Sequence, residues 1–581
     1  MIALFVIVIG AIWVRTFHYH EWLFFKWDQA RDSILLAPAI EHGPEHLPLL
    51  GPRATKVGND YLRLGPAYYY TQYVSGVVFS STKPDVFAYP DLFFSILTIP
   101  LLYFFLRLYF SRTNALLAVL MYTFSFLIIQ YSRFSWNPNS VPFFIILSFF
   151  GLLKFIESKK VKQRIGWIAL WAGAFSIASQ YHFFAFFSLT AITAIFVFLH
   201  YQLWKPKDIG SKIKTVFSKR GIAVALTAVF IIGVAYTPVI ISDVVTDGSN
   251  VKNFIGAFSE KPKKNKTTWQ KIVRNFREQP KHYYLLITSF RHRKGMKADP
   301  VPVGFGTVFV VLGLALTIAR RKKEESAQKK AFLLLVSVWT IVFFLVTIPM
   351  SYQLRPRFFV VIFPIPYIFF GLWFVLFKEK FGDRAKPAII SIVAMILILN
   401  AYGTYAWFRE NMLSQNHALD TGRTYILKKQ DGVTLGQLEK VTDYMYENRR
   451  SDDFIYYSKP EYTISFKYLL WQKNDPLISY DFANSTQDLR GHDYVFAINS
   501  VSGGFDSVSK KIKDYATVIS QKQFGQLVVF EMKIDQNKIP APKEKKAVAV
   551  EEEEGKTERL FWRDVFGLSS KEVDSELGKK E

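Results

Sequence analysis

The sequence predicts a mainly α-helical, polytopic membrane protein that carries a small α/β domain towards its C-terminal end. Half of its 581 residues are hydrophobic, 17% are aromatic and the mean hydropathy is +0.15. The apolar residues recur in runs of span length, which excludes an ordinary soluble protein. The net charge of +25 lies largely in Lys and Arg clusters between these runs, a distribution that orients membrane spans and does not indicate nucleic-acid binding. The absence of cysteine excludes disulfides and thiolate metal sites.

About eleven apolar runs are the predicted transmembrane helices. The first, residues 2–14, is shorter than the roughly 20 residues that a span usually needs. The others are residues 86–106, 115–131, 140–155, 165–179, 182–201, 221–241, 303–319, 331–349, 358–377 and 387–407.

The connections between these runs predict the orientation. One alternate set carries basic clusters such as 159–164 and 320–323, whereas the short connections of the opposite set carry only Arg133, Arg355 and Arg357. Because cytoplasmic loops collect Lys and Arg, we expect a multi-pass protein of the plasma membrane with a cytoplasmic N-terminus. The loops 15–85 and 242–302, and everything after residue 407, are then extracytoplasmic.

The pattern changes after residue 407, which divides a membrane module (1–407) from a predicted α/β domain (408–535). A helix capped by Thr434 runs to Tyr446, and a second helical stretch covers 507–515. Strand-like stretches cover 454–457, 477–482, 494–498 and 526–532. Residues 536–581 contain APKEKKAVAVEEEEGK and are predicted to form a charged, disordered tail with a short amphipathic piece at 560–568.

The first outer loop contains the candidate catalytic carboxylates. Asp28 and Asp32 stand four residues apart and share one face if the segment is helical, with Arg31 beside them. Two carboxylates near one site can divide roles, one accepting a proton while the other orients or stays charged. An interfacial helix in which Asp28 and Arg31 merely pair on the wet side is the open alternative.

The same loop contains cations that suit a phosphate. Arg53, Lys56 and Arg63 lie close to the membrane, and Arg can bind a phosphate through two parallel hydrogen bonds. A basic patch that meets anionic headgroups is the alternative. Tyr69, in LGPAYYY, fits either a substrate-binding platform or an aromatic belt.

Three short outward segments add further candidates. Arg133 and Asn137 lie in YSRFSWNPN, His182 lies in SQYHFFA and Arg355 lies in YQLRPRF. Ionisable groups at membrane depth are costly and therefore suggest function, although an interfacial position would explain them equally. No second His or carboxylate stands at ligand spacing near His182, so no metal site is predicted. The lack of a Gly-rich phosphate loop disfavours a nucleotide-sugar donor and an ATP-driven pump.

In this order, the segments WDQARD, LLGP, LGPAYYY, YSRFSWNPNSVP, SQYHFFA and TPVIISD resemble bacterial family 39-like glycosyltransferases of the GT-C superfamily. These are kin of the protein O-mannosyltransferases and of the lipid A aminoarabinose transferase. The resemblance covers residues 1–407 and implies a helical membrane module, an acidic catalytic residue in the first external loop and a polyprenyl-phosphate sugar as donor. Asp28 matches the acidic position. Arg63 lies next to the position where the aminoarabinose transferases place a donor-phosphate Lys, offset by one residue, and Arg133, Asn137 and His182 match recurrent positions.

The resulting hypothesis is a membrane glycosyltransferase that moves a sugar from a polyprenyl-phosphate donor to an extracytoplasmic glycan, lipid or protein. Asp28 takes the acceptor proton, and inversion at the anomeric carbon is expected. Charge on the leaving phosphate is neutralised by Arg53, Lys56, Arg63 and Arg355. No cofactor is required, and a divalent cation bridging Asp28 or Asp32 and the phosphate stays open. The alternatives are a lipid-linked sugar transporter or flippase and a noncatalytic membrane assembly protein.

Overall fold

A computed structural model describes residues 1–205, 218–259, 267–290, 300–351, 354–419, 432–541 and 559–567. Within these ranges all of the predicted spans are helical, which confirms the helical membrane module. Its helices are α1 (Ile2–Thr16), α2 (Trp27–His42), α3 (Ala67–Val78), α4 (Tyr89–Leu106), α5 (Arg112–Thr123), α6 (Phe126–Tyr131), α7 (Val141–Glu157), α8 (Val161–Tyr181), α9 (Phe183–His200), α10 (Lys219–Val245), α11 (Ser249–Ser259), α12 (Thr268–Thr288), α13 (Pro300–Lys323), α14 (Ala327–Thr347), α15 (Ile365–Phe381) and α16 (Ala385–Ser414).

In the described part of the chain, six helical segments are long and apolar enough to cross a membrane. They are Val86–Leu106, Phe183–His200, Lys219–Val245, Pro300–Lys323, Ala327–Thr347 and Ile365–Ser414, the last of which contains both α15 and α16. The other predicted spans are shorter or less apolar helices. The run at 115–131 is divided into α5 and α6, and α16 continues past the predicted end at residue 407 to Ser414.

The first outer loop is folded around a β-hairpin, β1 (Arg53–Val57) and β2 (Asp60–Arg63). The glycines of LLGP and LGP lie at the base of this hairpin. A Cβ on Gly51 would lie 2.1 Å from the carbonyl oxygen of Gly65, so the two backbones approach too closely for a side chain. The Gly51 N–H donates to the Leu64 carbonyl at 2.8 Å. The two motifs thus close one loop and bring α2 and α3 together.

The C-terminal part contains the predicted α/β fold, with helices α17 (Leu435–Glu447), α18 (Pro460–Trp471) and α19 (Lys510–Lys513). Its strands are β3 (Asp453–Ser458), β4 (Ser479–Phe482), β5 (Tyr494–Ser500), β6 (Ala516–Phe524) and β7 (Leu527–Ile534), in the order β4-β3-β5-β7-β6. β3 pairs in parallel with β4 and β5, whereas β7 is antiparallel to both β5 and β6. The sequence did not predict β6 or α18. β6 is a largely exposed edge strand without a clear apolar alternation, and the helix predicted at 507–515 is reduced to one short turn.

The C-terminal domain packs directly on the first outer loop. The N–H of Leu435 donates to the carbonyl of Leu23 at 2.8 Å, and the Ser465 hydroxyl donates to the carbonyl of Phe25 at 3.2 Å. His20 bridges the two parts, with Nε2 2.9 Å from a Glu439 carboxylate oxygen and Nδ1 3.4 Å from Asp85. The domain therefore lies on the same side of the membrane module as α2.

Candidate active site

Helix α2 carries the two carboxylates in different surroundings. Gln29, Ala30 and Asp32 are buried, while Asp28 keeps 45% of its side-chain surface exposed. The Gln29 amide donates to the carbonyl of Ser135 at 2.8 Å, which fixes the start of the helix against the YSRFSWNPN turn. Asp28 and Asp32 share one face of the helix, but Asp28 lies in its first turn and stays accessible, whereas Asp32 lies one turn further on and is buried.

Arg31 joins the two carboxylates. Its Nη1 donates to Asp28 Oδ1 at 3.1 Å, and its Nε and Nη2 donate to Asp32 Oδ1 at 3.0 and 2.7 Å. Burial alone would lower the pKa of the Arg31 guanidinium, but the Coulombic attraction of Asp32, Tyr69 and Asp28 raises it above its ordinary value. The guanidinium therefore stays charged between the two acids.

Asp32 is a buried carboxylate whose Oδ1 accepts several hydrogen bonds. The same Oδ1 that accepts from Arg31 also accepts the Tyr69 hydroxyl at 2.9 Å, and only 7% of the Asp32 side chain is exposed. Burial raises the pKa of Asp32, whereas Arg31 and the Tyr69 hydrogen bond act to lower it. The arrangement gives Asp32 an orienting position and leaves Asp28 as the accessible carboxylate.

Arg357, from the second half of the membrane module, is a cation whose charge interacts with that of Asp28. Its guanidinium lies 5.5 Å from the ring centre of Trp136 and 5.7 Å from that of Phe358, and its buried Nε has no hydrogen-bond partner among the described residues. Burial and the charge of Arg355 lower the pKa of Arg357, while the charge of Asp28 raises it. Arg355 is exposed. The sequence pointed to the YQLRPRF segment and selected Arg355, whose role in binding the donor stays a prediction.

Asp91 of α4, which sequence reasoning missed, joins α3 to the YSRFSWNPN turn. Its Oδ2 accepts the Tyr68 hydroxyl at 3.2 Å and the Trp136 N–H at 3.0 Å, and its Oδ1 accepts the Ser140 hydroxyl at 2.5 Å. Asp91 is 1% exposed. A lone carboxylate at the start of an apolar run was the available signal, since such a group needs partners in the protein. Asp91 thus connects Tyr68 of α3 to Trp136, the residue whose ring lies beside the Arg357 guanidinium.

Arg133 caps the first helix. Its Nη1 donates to the carbonyls of Val14 and Arg15 at 3.3 and 2.9 Å, and its Nη2 donates to those of Phe17 and His18 at 2.7 and 3.2 Å. Val14 and Arg15 belong to the last turn of α1, whose carbonyls lack partners within the helix, and Phe17 and His18 follow directly after it. This placement gives Arg133 a structural contact, and its predicted role in substrate binding stays a prediction.

Asn137 and His182 lie at the junction of α8 and α9. The Asn137 amide donates to the carbonyl of Tyr181 at 2.5 Å. His182 is buried, its ring centre is 5.9 Å from that of Phe358, and its Nδ1 has no hydrogen-bond partner in the described ranges. Gln180 supports the Gly65–Pro66 turn through its Oε1, which accepts the Ala67 N–H at 3.3 Å. His182 is thus separated from solvent and lies close to Phe358, the residue that follows Arg357.

The hairpin places Arg53, Lys56 and Arg63 next to the second outer loop, residues 242–302. Arg53 stacks 4.4 Å from the ring centre of Tyr61, Lys56 is exposed, and the backbone N–H of Arg63 donates to Asn250 Oδ1 at 3.0 Å. Asn250 belongs to α11, on which the hairpin packs. The structure therefore brings Arg31, Asp32, Tyr69 and Arg357 around Asp28 and places the three hairpin cations on a neighbouring surface.

Metal-ligating side chains are sparse in this arrangement. Among the described residues, no three His, Asp or Glu side chains form a group that could hold a metal ion. The two carboxylates that could share an ion instead share the Arg31 guanidinium, which a bridging ion would have to displace. A divalent cation that bridges Asp28 or Asp32 and the donor phosphate stays a prediction.

The fold of this chain is similar to that of solved membrane proteins. The fold matches ArnT from Cupriavidus metallidurans bound to undecaprenyl phosphate, with a TM-score of 0.53 and 12% identity over 93% of this chain and 99% of that one. The apo form of the same protein gives a TM-score of 0.52. The oligosaccharyltransferase of Archaeoglobus fulgidus in complex with zinc and sulfate gives 0.50, with 14% identity over 85% of this chain and 67% of that one.

The sequence itself matches one family model. Residues 3–240, which include α2, the hairpin, α3 and the YSRFSWNPN turn, match the model for dolichyl-phosphate-mannose-protein mannosyltransferases. No curated protein matches the sequence. The N-terminal part of the chain is therefore similar to this family, and the chain shares its overall fold with ArnT.

Proposed function

We propose that this protein transfers a sugar from a polyprenyl-phosphate donor to an acceptor hydroxyl on the outer face of the plasma membrane. The observation that carries the proposal is the accessible carboxylate of Asp28, which Arg31 orients and which lies within electrostatic reach of Arg357. ArnT, which shares the fold, binds undecaprenyl phosphate, a donor carrier of the same chemical class. The positive-inside distribution supports the outer location of α2 and the cytoplasmic location of the N-terminus.

The geometry supports a direct displacement. Asp28 accepts the proton of the acceptor hydroxyl as its oxygen forms a bond to the anomeric carbon. The bond from that carbon to the phosphate oxygen breaks, and polyprenyl phosphate leaves with the electron pair. Attack opposite the leaving group inverts the anomeric centre. Arg357 has a donor group without a hydrogen-bond partner among the described residues, and it stabilises the charge that grows on the phosphate.

Arg31 supplies the fixed positive charge beside the base. It neutralises Asp32 and donates one hydrogen bond to Asp28, and the proposal contains no step through a metal ion. Transfer that persists in EDTA supports this arrangement. Loss of transfer in EDTA and its recovery with Mn²⁺ or Mg²⁺ would contradict it.

The experiment is sugar transfer by the purified protein from synthetic polyprenyl-phosphate sugars. We expect Asp28→Asn to lower kcat by about 100- to 10,000-fold, the range for a general base. Arg357→Ala is expected to cost about 100- to 1,000-fold, because it removes one donor to developing charge. Glu41→Gln, at the exposed end of the same helix, is the matched control and should keep full activity.

The outcomes separate the proposal from its rivals. Full activity in Asp28→Asn would remove the proposed base. Movement of the lipid-linked sugar across a vesicle membrane without transfer would favour a flippase. Neither transfer nor transport would favour an assembly protein whose C-terminal domain binds a partner. The anomeric configuration of the product, read by NMR, tests inversion.

A further inference from the structure

Residues 559–567 pack against the first outer loop, although the sequence alone assigns them to a disordered tail. The N–H of Leu49 donates to the carbonyl of Leu560 at 2.9 Å, and the N–H of Trp562 donates to the carbonyl of Leu47 at 3.1 Å. Pro48 and Phe561 face each other between these bonds in an antiparallel bridge. This is the non-hydrogen-bonded position of an antiparallel pair, where the missing N–H of proline costs no bond.

Side chains fix the register of this contact. The Trp562 Nε1–H donates to the Tyr70 hydroxyl at 2.8 Å, and that hydroxyl donates to the carbonyl of Pro48 at 3.2 Å. Arg563 Nη1 donates to His46 Nδ1 at 3.2 Å. These bonds surround the backbone bridge on both sides, so the segment has one defined position on the loop.

The contact extends to the residues that orient Asp28. The Arg559 guanidinium lies 5.9 Å from the ring centre of Tyr69, whose hydroxyl donates to Asp32. Tyr69 and Tyr70 are consecutive residues of α3, so one binds the acid that holds Arg31 and the next binds Trp562. A continuous set of contacts therefore runs from residues 559–567 through Tyr69, Asp32 and Arg31 to Asp28.

We propose that residues 559–567 are a component of the transferase site, in which Arg559 and Trp562 act as positioning residues. They hold α3 so that Tyr69 keeps Asp32, and through it Arg31 and Asp28, in the geometry that proton transfer requires. This inference rests on the proposed function for its catalytic part. It also requires the C-terminal segment to lie on the same side of the membrane as α2.

A disulfide cross-link tests the docking of residues 559–567 on the first outer loop and needs no activity measurement. The chain has no cysteine, so Pro48→Cys with Phe561→Cys gives one defined pair. A non-hydrogen-bonded pair has Cα atoms about 4.5 Å apart, within the range of about 4.4–6.8 Å that a disulfide spans. A protease site is inserted between residues 542 and 558 of the full chain. After oxidation and cleavage, the C-terminal piece should stay attached on a denaturing, non-reducing gel, whereas each single-cysteine variant should lose it.

The same protein tests the positioning role. Cleavage without the cross-link should reduce sugar transfer, and cleavage of the cross-linked protein should leave it intact. Arg559→Ala should lower kcat about three- to thirty-fold, the effect of losing one cation at a ring face. The donor KM should stay within about twofold, because no substrate contact is removed. Arg559→Lys should recover most of the rate, and Lys538→Ala, which removes an exposed cation upstream, should have no effect.

The possible failures are distinguishable. An active wild-type protein whose cysteine pair does not cross-link would overturn the docking and leave the proposed function standing. Cross-linking combined with unchanged transfer after cleavage without the cross-link would overturn the positioning role. A wild-type protein that transfers no sugar would overturn the proposed function and the catalytic part of this inference together, while the cross-link alone would still decide the docking.

Discussion

Arg133 provides a direct test of whether a buried arginine in this protein supports the fold or binds substrate. Its two shortest hydrogen bonds, to the carbonyls of Arg15 and Phe17, are 2.9 and 2.7 Å long. A hydrogen bond from a charged donor contributes about 1.5–3 kcal/mol, so Arg133→Ala should lower the free energy of unfolding by about 3–6 kcal/mol. That is a large part of the roughly 5–15 kcal/mol that holds a typical domain. Arg133→Lys keeps the charge but loses the planar fork, so we expect an intermediate loss.

The measurement is thermal unfolding of the detergent-solubilised protein together with the donor KM. Arg355→Ala is the matched control, because Arg355 is exposed and its removal should change stability by no more than about 0.5 kcal/mol. We expect Arg133→Ala to unfold at a much lower temperature, with the KM of the surviving folded fraction unchanged. An unaltered melting temperature combined with a raised donor KM would refute the capping role and support substrate binding.

Three further variants test other parts of the site. Tyr69→Phe removes a 2.9 Å hydrogen bond to the buried Asp32 carboxylate and should lower the free energy of unfolding by about 1.5–3 kcal/mol, measured by chemical denaturation; an unchanged value would contradict the bond. The hydrogen bonds of His20 to Asp85 and Glu439 raise its pKa from 6.5 to about 10, so its stabilising charge is fully present below pH 6.5 and is lost as the pH rises towards 10. Proteolysis of the interface should accelerate over that interval, and a His20→Gln variant should show no such dependence. Gly65→Ala would place a Cβ 2.3 Å from the side-chain amide oxygen of Gln180, and we expect the free energy of unfolding to fall by about 1–3 kcal/mol in a melting experiment. Wild-type stability of this variant would show that the Gly65–Pro66 turn adjusts freely.

Local patterns were sufficient to predict the helices and the region of the site. Apolar runs of span length predicted the membrane module, and the four-residue spacing of Asp28 and Asp32 predicted their placement on one helix with Arg31 between them. These features depend on neighbours a few residues apart, which is the distance over which helical periodicity operates. The same reasoning found the β3, β4, β5 and β7 regions but missed β6, whose exposed side chains carry no clear apolar alternation.

Contacts between distant segments could not be predicted in this way. Spacing gave no means of deciding which carboxylate is accessible, because the answer depends on the Tyr69 hydroxyl from α3. Arg355 and Arg357 are equivalent in sequence, and only the packing of Trp136 beside Arg357 separates them. Residues 559–567 follow a charged, low-complexity stretch, so nothing in the local pattern indicates that they meet residues 47–49.

These distant contacts share a physical cause. A catalytic loop beside a bilayer cannot be held by the lipid, because its polar backbone needs protein or water as a partner. A general base, however, must be held within hydrogen-bond reach of the acceptor. Here Gln29 is fixed by the Ser135 carbonyl, Phe25 by Ser465 of the C-terminal domain and Tyr70 by Trp562. Support from three separate parts of the chain thus converges on α2, on the residue pair before it and on α3, so variants far from Asp28 in sequence are expected to alter kcat without contacting substrate.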